Sequence, residues 1–490
     1  MTATAVLAID QGTSATKAVV VLADGTVAGL AEAAVAVHAS PDGGVELDPE
    51  QLWQSVLTAG HAALAEAGNP ALAAIGLANQ GETVLAWDRR TGAPQGPAIV
   101  WQDRRSVEVC ERLASHGPRL AAITGLELDP YFVAPKIVWW RDRLSGDCTT
   151  TTTTRATGTG TGTITITTTD TWLLHRLCGA FVTDVATAGR TLLLELDTGD
   201  WSDEACDIFA IDRGTLPRIV GNAEPIGECS LFGGSVPVTG ACVDQQAALF
   251  AEACHSAGEA KCTYGTGAFM LACTGAAPTR SANGLVGCPA WRIGDALTWC
   301  LDGQVYTVGA AVSWLIDMGI MGEPADLDRL GGSVRDSAGA TFVPALAGLA
   351  APYWKPNAKA AFTGLSLGTE RAHLVRAAID GIAAQVALLA AAAGRDLGAP
   401  LTRLRVDGGL TRSHTLVQVQ ADLLQCPVEV YPSPHATALG VGAFASIGAG
   451  LPASAAQWSP SAVVEPSISA DEAAGRLAAW QAVADATMDK

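Results

Sequence analysis

Two stretches far apart in the chain have the same make-up: "LAIDQGTSATKAVVVL" at residues 7–22 and "EAKCTYGTGAFMLACTG" at residues 259–275. Each is a run of small apolar residues, a Gly/Thr turn and a second apolar run. This pattern predicts two strands folded back on one another. A chain that opens in this way and repeats the opening past its midpoint is constrained towards two similar halves. In the first half, residues 5–10 and 18–23 read as strands, and Asp24-Gly25 turns the chain into a further one. Residues 49–67 carry apolar residues at helical spacing and stop at Gly68-Asn69-Pro70. "LAAIGLAN" is a strand again. In the second half, residues 370–394 form the clearest helix, and "LTRLRVDGGLTRSH" runs from a strand through a glycine turn into a helix. Strands and helices in this order predict an α/β layer fold with partly antiparallel sheets. At 490 residues there is room for two large domains, and the repeat places them at residues 1–247 and 248–490.

Composition narrows the class of partner. A net charge of −19 disfavours nucleic acid, whose phosphates it would repel. No run reaches the eighteen apolar residues of a membrane span, and "MTATAVLAIDQG" has no basic leader. None of the twelve cysteines is in a CxxC pair, so neither a disulfide framework nor a zinc site is indicated. A cytoplasmic protein is expected. Residues 149–169, "TTTTTTRATGTGTGTITITTT", are of low complexity. They read as a Thr-rich surface loop without chemistry, with Thr165 and Ile166 ending in a strand before the helix at "DTWLLHRL".

Four short motifs offer chemistry. In "AIDQGTSATKAVV" the glycine turn leads into a strand, so this is not a phosphate loop of the GxxxxGK[ST] kind. Asp10 ends a strand beside a turn at Gly12 and Thr13 whose N–H and hydroxyl groups can face phosphate, with Lys17 on the returning strand. A carboxylate there is placed to hold Mg²⁺ through water. In "GACVDQQAALF" Asp244 stands where a strand becomes a helix and would project into a cleft. "TYGTGAFM" lets the backbone approach a phosphate at Gly265, Thr266 and Gly267. "VDGGLTRSH" clears space with Gly408 and Gly409 before a helix N-terminus. A fifth stretch, "GLANQGETVLAWD", ends an apolar run on Asn79, Gln80, Gly81, Glu82 and Thr83, which such a strand end presents to a ligand.

Taken in order, and with "AIVWQDRRS", "DPYF" and "FVPALAGLAAPYW", these blocks resemble the FGGY family of carbohydrate kinases, in the actin and hexokinase fold superfamily, and within it the glycerol kinases. The resemblance spans nearly the whole chain. It implies two ribonuclease-H-like domains flanking a cleft, with ATP and Mg²⁺ as cofactors, a small polyol or sugar as substrate, and a homo-oligomer. Asp244 then matches the general base, and Asp10 and Asp244 the Mg²⁺-associated carboxylates. Thr13, Ser14, Lys17 and Thr266 match phosphate contacts, and Gly309, Ser313, Gly409 and Ser413 the nucleotide site. Glu82, Tyr131, Asp244 and Gln245 match hydroxyl contacts of the acceptor, with Trp101 and Phe269 as the apolar wall.

Three departures stand out. Residue 81 is Gly where glycerol kinases carry Arg, which implies a side-chain-sized space beside Glu82 and a lost donor. Residue 413 is Ser where Asn is usual. "FGGSVPVTG" lacks the arginine of relatives controlled by fructose bisphosphate, so no such control is expected. The implied activity is phosphorylation of a terminal hydroxyl, glycerol first. The alternative is a C4–C5 polyol or ketose such as erythritol or xylulose. An actin-like ATPase without an acceptor is disfavoured by Glu82, Trp101 and Tyr131. A pseudokinase is disfavoured by Asp10, Thr13, Asp244 and Thr266.

Overall fold

The computed structural model describes residues 5–144, 164–452 and 458–488. Its first sheet has six strands, in the spatial order Val27–Ala34, Ala15–Leu22, Ala5–Gln11, Leu72–Asn79, Val236–Val243, Ala223–Cys229. The first three form an antiparallel meander, the next two run parallel to Ala5–Gln11, and the edge strand is antiparallel. The second sheet has seven strands and repeats that plan. Ala260–Tyr264 pairs antiparallel with Ala268–Gly275 on one side and parallel with Leu404–Asp407 on the other. Ala296–Val305 continues the meander, Val286–Ile293 is added at that edge, and Val428–Val430 and Ala462–Val464 complete the other. The fold expected from the repeated hairpin is the fold observed.

The central strands read as unbroken apolar runs because both of their faces are covered. Side chains alternate across a strand. Ala5, Leu7 and Ile9 therefore pack on Leu52, Trp53 and Val56 of the helix Pro49–Glu66. That helix starts where predicted, with Pro in its first turn and Asp48 accepting from Glu50 N at 2.9 Å, which satisfies an otherwise orphaned amide. Ala8 faces the other way, towards Val441 and Phe444 of the helix Ala436–Gly448. That helix follows a strand of the second sheet in sequence and yet packs on the first. It crosses the helix Asp244–Ala251 at backbone contact: a Cβ on Gly440 would lie 1.9 Å from the Ala247 carbonyl oxygen.

The longest helix, Arg371–Leu397, extends slightly beyond the predicted 370–394. It is long and apolar enough to cross a membrane by composition, but 83% of its most apolar window is buried inside the protein. Its apolar residues belong to the core of the second sheet, with Met270, Leu301 and Val406. Of the low-complexity tract, residues 149–163 lie outside the described residues. Ile164–Thr168 is a strand paired antiparallel with Val84–Asp88, and Thr169–Cys178 is the expected helix.

Candidate active site

Three parallel strands of the first sheet end together: Asp10 lies opposite Ala78, and Val243 opposite Asn79. The polar residues that follow each strand therefore meet at one edge, the carboxyl ends where open α/β sheets bind ligands. Asp244 begins its helix directly after Val243, so a one-residue step carries the chain from the sheet to a side chain over that edge. In the second sheet Thr263 lies opposite Asp407, which brings the Gly265–Gly267 turn and the Gly408-Gly409 turn together in the same way.

Glu82 sits in a turn with φ of 57°, a left-handed conformation that a non-glycine residue adopts at some cost and mostly at functional sites. Its carboxylate is buried and accepts from Arg190 Nε at 2.6 Å, while Arg190 Nη2 reaches Asp302 at 2.8 Å. Burial raises the Glu82 and Asp302 carboxyls above their usual range against the pull of Arg190. The guanidinium itself stays charged, held well up by the two carboxylates despite its burial. Beside Glu82 stands an aromatic corner. The Trp101 ring meets Tyr131 and Phe269 edge-on, each at 5.9 Å between centroids. Trp101 Nε1 donates to Thr13 Oγ1 at 2.9 Å, so the apolar wall and the first Gly/Thr turn are one assembly. Lys136, buried behind Tyr131, donates to the Tyr131 carbonyl, and burial lowers its ammonium to about 8.

The space expected at Gly81 is narrowed at its start by one neighbour. A Cβ built there would come within 2.9 Å of Val243 Cγ2. The parallel pairing of Leu72–Asn79 with Val236–Val243 brings Val243 to residue 81, and its methyl group is the one atom within 4 Å that a Cβ there would meet.

Asp244 donates nothing as a carboxylate and accepts from Gln245 N at 2.7 Å. Burial, then the charges of Asp10 and Glu82, push its carboxyl up to about 7, while Lys261 pulls against them. Asp10, on the strand facing Lys17, is pushed up to about 6, mainly by burial, with Lys17 opposing and Asp407 adding to the rise. Lys261 is fully buried and donates to Gln245 Oε1 at 2.6 Å and Thr263 Oγ1 at 2.7 Å. Asp10, Asp244 and Asp407 thus form an acidic floor balanced by Lys17 and Lys261. Among the described residues no group of three or more His, Cys, Asp or Glu is arranged to hold a metal by itself.

The predicted nucleotide contacts divide. Gly309 N donates to Gly265 O at 3.0 Å, and a Cβ on Gly309 would lie 2.6 Å from that oxygen. The turn carrying Thr266 and the first residue of the helix Gly309–Asp317 are therefore joined, with exposed Ser313 one turn on. Gly409 is exposed with open space around it and lines a cavity of about 450 Å³ with Asp407, Gly408, Tyr431 and Ser433. Ser413 is committed elsewhere: its hydroxyl caps the helix His414–Leu424 and donates to Asp328 at 2.9 Å. Ser14 is exposed beside Thr13. A separate concavity of about 680 Å³ is lined by Ile137, Asp203 and Ile211 among others and contains none of these residues.

Arg190, Asp302, Lys136, Lys261 and Asp407 were not singled out in the sequence. Only Asp407 left a signal, a carboxylate ending a strand before a glycine turn, as at Asp10. The others take their meaning from partners remote in the chain.

Comparison with known proteins identifies the family. Residues 5–251 match the N-terminal domain of the FGGY family of carbohydrate kinases, and residues 260–449 its C-terminal domain. Glycerol kinase of Bordetella parapertussis is 41% identical over 493 residues, covering 97% of this chain and 96% of the relative. Glycerol kinase of Thermus brockianus is 41% identical over 452 residues, with 91% and 90% covered. Among solved structures, Plasmodium falciparum glycerol kinase with ADP superposes with a TM-score of 0.86 at 28% identity, covering 99% of this chain and 98% of that one. A xylulose kinase from Lactobacillus acidophilus gives the same TM-score at 19% identity, with 99% and 98% covered, a likeness of fold. The two matched domains, the near-complete coverage and the shared fold lead to one assignment: the chain belongs to the FGGY family of carbohydrate kinases.

Proposed function

We propose that this protein transfers the γ-phosphoryl group of ATP to a terminal hydroxyl of glycerol, giving glycerol 3-phosphate. The observation that carries this reading is the likeness to glycerol kinases at 41% identity along nearly the whole chain. The site supports it, because an aromatic corner beside a buried carboxylate suits a small polyol: carbons pack on the rings and hydroxyls bond to the charge.

On this reading residues 1–247 carry the acceptor and the base, and residues 248–490 the nucleotide. Glu82 accepts a hydrogen bond from an acceptor hydroxyl, with its own position fixed by Arg190. Trp101, Tyr131 and Phe269 hold the carbon chain. The Asp244 carboxylate takes the proton of the attacking hydroxyl as the new P–O bond forms, and ADP leaves. A carboxyl near 7 suits that task, since a base works best when its pKa is close to the operating pH. Gln245, tied to Lys261, orients a second hydroxyl. Thr13, Ser14, Lys17 and Thr266 face the phosphates, and Gly309, Ser313 and Gly409 the nucleoside. Asp10 and Asp244 would hold Mg²⁺, which supplies charge neutralisation at the phosphates. The fit rests on their proximity, the charge of Asp10 raising the Asp244 carboxyl, and on the habit of Mg²⁺ to take one or two carboxylates and otherwise water and phosphate oxygens.

The larger acceptors, erythritol or xylulose, would need room at residue 81, and the Val243 methyl group narrows that room. This favours glycerol. The test is ADP release by the purified protein across glycerol, C4 and C5 polyols and ketoses. Glycerol is expected to have the highest kcat/KM. A larger acceptor ahead by more than about tenfold, or release that no acceptor stimulates, would overturn the reading.

A further inference from the structure

Phe269 and Gln304 are direct partners in the antiparallel pair Ala268–Gly275 with Ala296–Val305. Residues opposite one another in such a pair share a face of the sheet. Phe269 closes the aromatic corner through its contact with Trp101, so Gln304 stands on the face that looks into the proposed acceptor pocket. Asp302, two residues earlier on the strand, shares that face.

The hydrogen bonds form a continuous run. Glu82 accepts from Arg190, Arg190 also donates to Asp302 Oδ2 at 2.8 Å, and Gln304 Nε2 donates to the same Oδ2 at 2.5 Å. Two acceptors at the end of this run have no partner: Gln304 Oε1 and Asp302 Oδ1. Both residues are buried, Gln304 at 1% and Asp302 at 4% exposure. A buried acceptor without a donor is costly, and such groups are normally satisfied by a protein, water or ligand donor. Gln304 cannot satisfy its own oxygen, because the N–H bonds of a planar carboxamide point away from its carbonyl. Arg190 beside it disfavours a cation. What remains is an O–H donor.

We propose that Gln304, supported by Asp302, is a further acceptor-binding residue, which accepts a hydrogen bond from a hydroxyl of the polyol other than the one phosphorylated. This rests on the polyol-kinase reading above and adds to it that the second sheet, through Gln304, helps to select the acceptor. Glu82 and Gln304 then read the substrate from opposite halves of the molecule, linked through Arg190.

The experiment compares wild type with Gln304→Leu and with Gln304→Met, whose unbranched chain provides a second test if the leucine variant fails to fold. Each is assayed on glycerol, 1,2-propanediol and 1,3-propanediol, as substrates or, where a diol is not turned over, as competitive inhibitors. For glycerol, KM is expected to rise about tenfold, with kcat and the KM for ATP within about twofold. The penalty should vanish on the diol that lacks the hydroxyl Gln304 reads. An equal penalty on all three compounds would mean a general distortion and overturn the inference. Unchanged constants on glycerol would mean that a buried water fills the corner, and would overturn it as well. A wild type that phosphorylates none of the three overturns the polyol-kinase reading along with this one. A wild type active on glycerol, with variants to match, overturns the Gln304 inference alone.

Discussion

Asp244 is placed where a negative charge is disfavoured, and this has opposite consequences for activity and stability. Its carboxyl is pushed from 3.8 to about 7 in the folded protein, so the folded state binds a proton that the unfolded state has released. The group's contribution to stability is fully present below about pH 4 and is lost as pH rises through about 7. Asp244→Asn should therefore lower kcat about 10²-fold or more and yet stabilise the ligand-free protein at pH 8, by on the order of 1–3 kcal/mol. In the wild type, kcat/KM should rise with pH through roughly 7, and the variant should lack that limb. Rate assays and thermal melts on the same two proteins check both, and a variant less stable than wild type at pH 8 would contradict the electrostatic account.

Gly81 gives the second prediction at this scale. Because a Cβ at 81 would crowd the Val243 methyl group, Gly81→Arg alone should lower kcat/KM for glycerol, by about tenfold or more. Adding Val243→Gly should restore much of the loss. Measured as a double-mutant cycle, the two changes should couple by about 1 kcal/mol or more; simple additivity would show that the contact does not matter. The sequence displays the glycine but not its neighbour, since Val243 is brought to it only by the pairing of two strands remote in the chain. Arg190 was illegible for the same reason: it lies 108 residues from Glu82. Glu82 itself was legible, because a polar cluster at the end of an apolar strand is a local signal.

Among the elements, those with their own period or punctuation were the ones that could be read. The helix Pro49–Glu66 announced itself by spacing and by its Gly-Asn-Pro stop, and both hairpins by their Gly/Thr turns. Ser413 shows the limit of this kind of reading. It lies in a matched motif, but the local need for a helix cap, together with Asp328, claims its hydroxyl. The helix Ala436–Gly448 was missed because its apolar residues say that it is buried without saying against what. Its crossing with the helix Asp244–Ala251 depends on Gly440, where any Cβ would run into the Ala247 carbonyl. Gly440→Val should cost about 3 kcal/mol or more. Gly475→Ala, on an exposed helix position with nothing within 4 Å, should instead stabilise slightly, by about 0.5–1 kcal/mol. Denaturant titrations of the two variants would separate a crowded crossing from a general intolerance of glycine replacement.

At the scale of the whole molecule, the repeated hairpin taken together with the motif blocks was enough to anticipate two domains of similar plan, since that plan follows from strand order and handedness. It was not enough to foresee that the halves share a helix. The strands of the first sheet are complete once Val243 has been made, whereas the helix that covers Ala8, Val19, Ala78 and Cys242 ends at Gly448. About 200 residues separate the two, which at about 5–20 residues per second takes a ribosome roughly 10–40 s. Through that interval the nascent chain carries a finished sheet with one apolar face uncovered. Its early half cannot complete its core as the N-terminal unit of a two-domain chain ordinarily would, and must wait, exposed to aggregation or to a chaperone's hold, until nearly the last helix arrives.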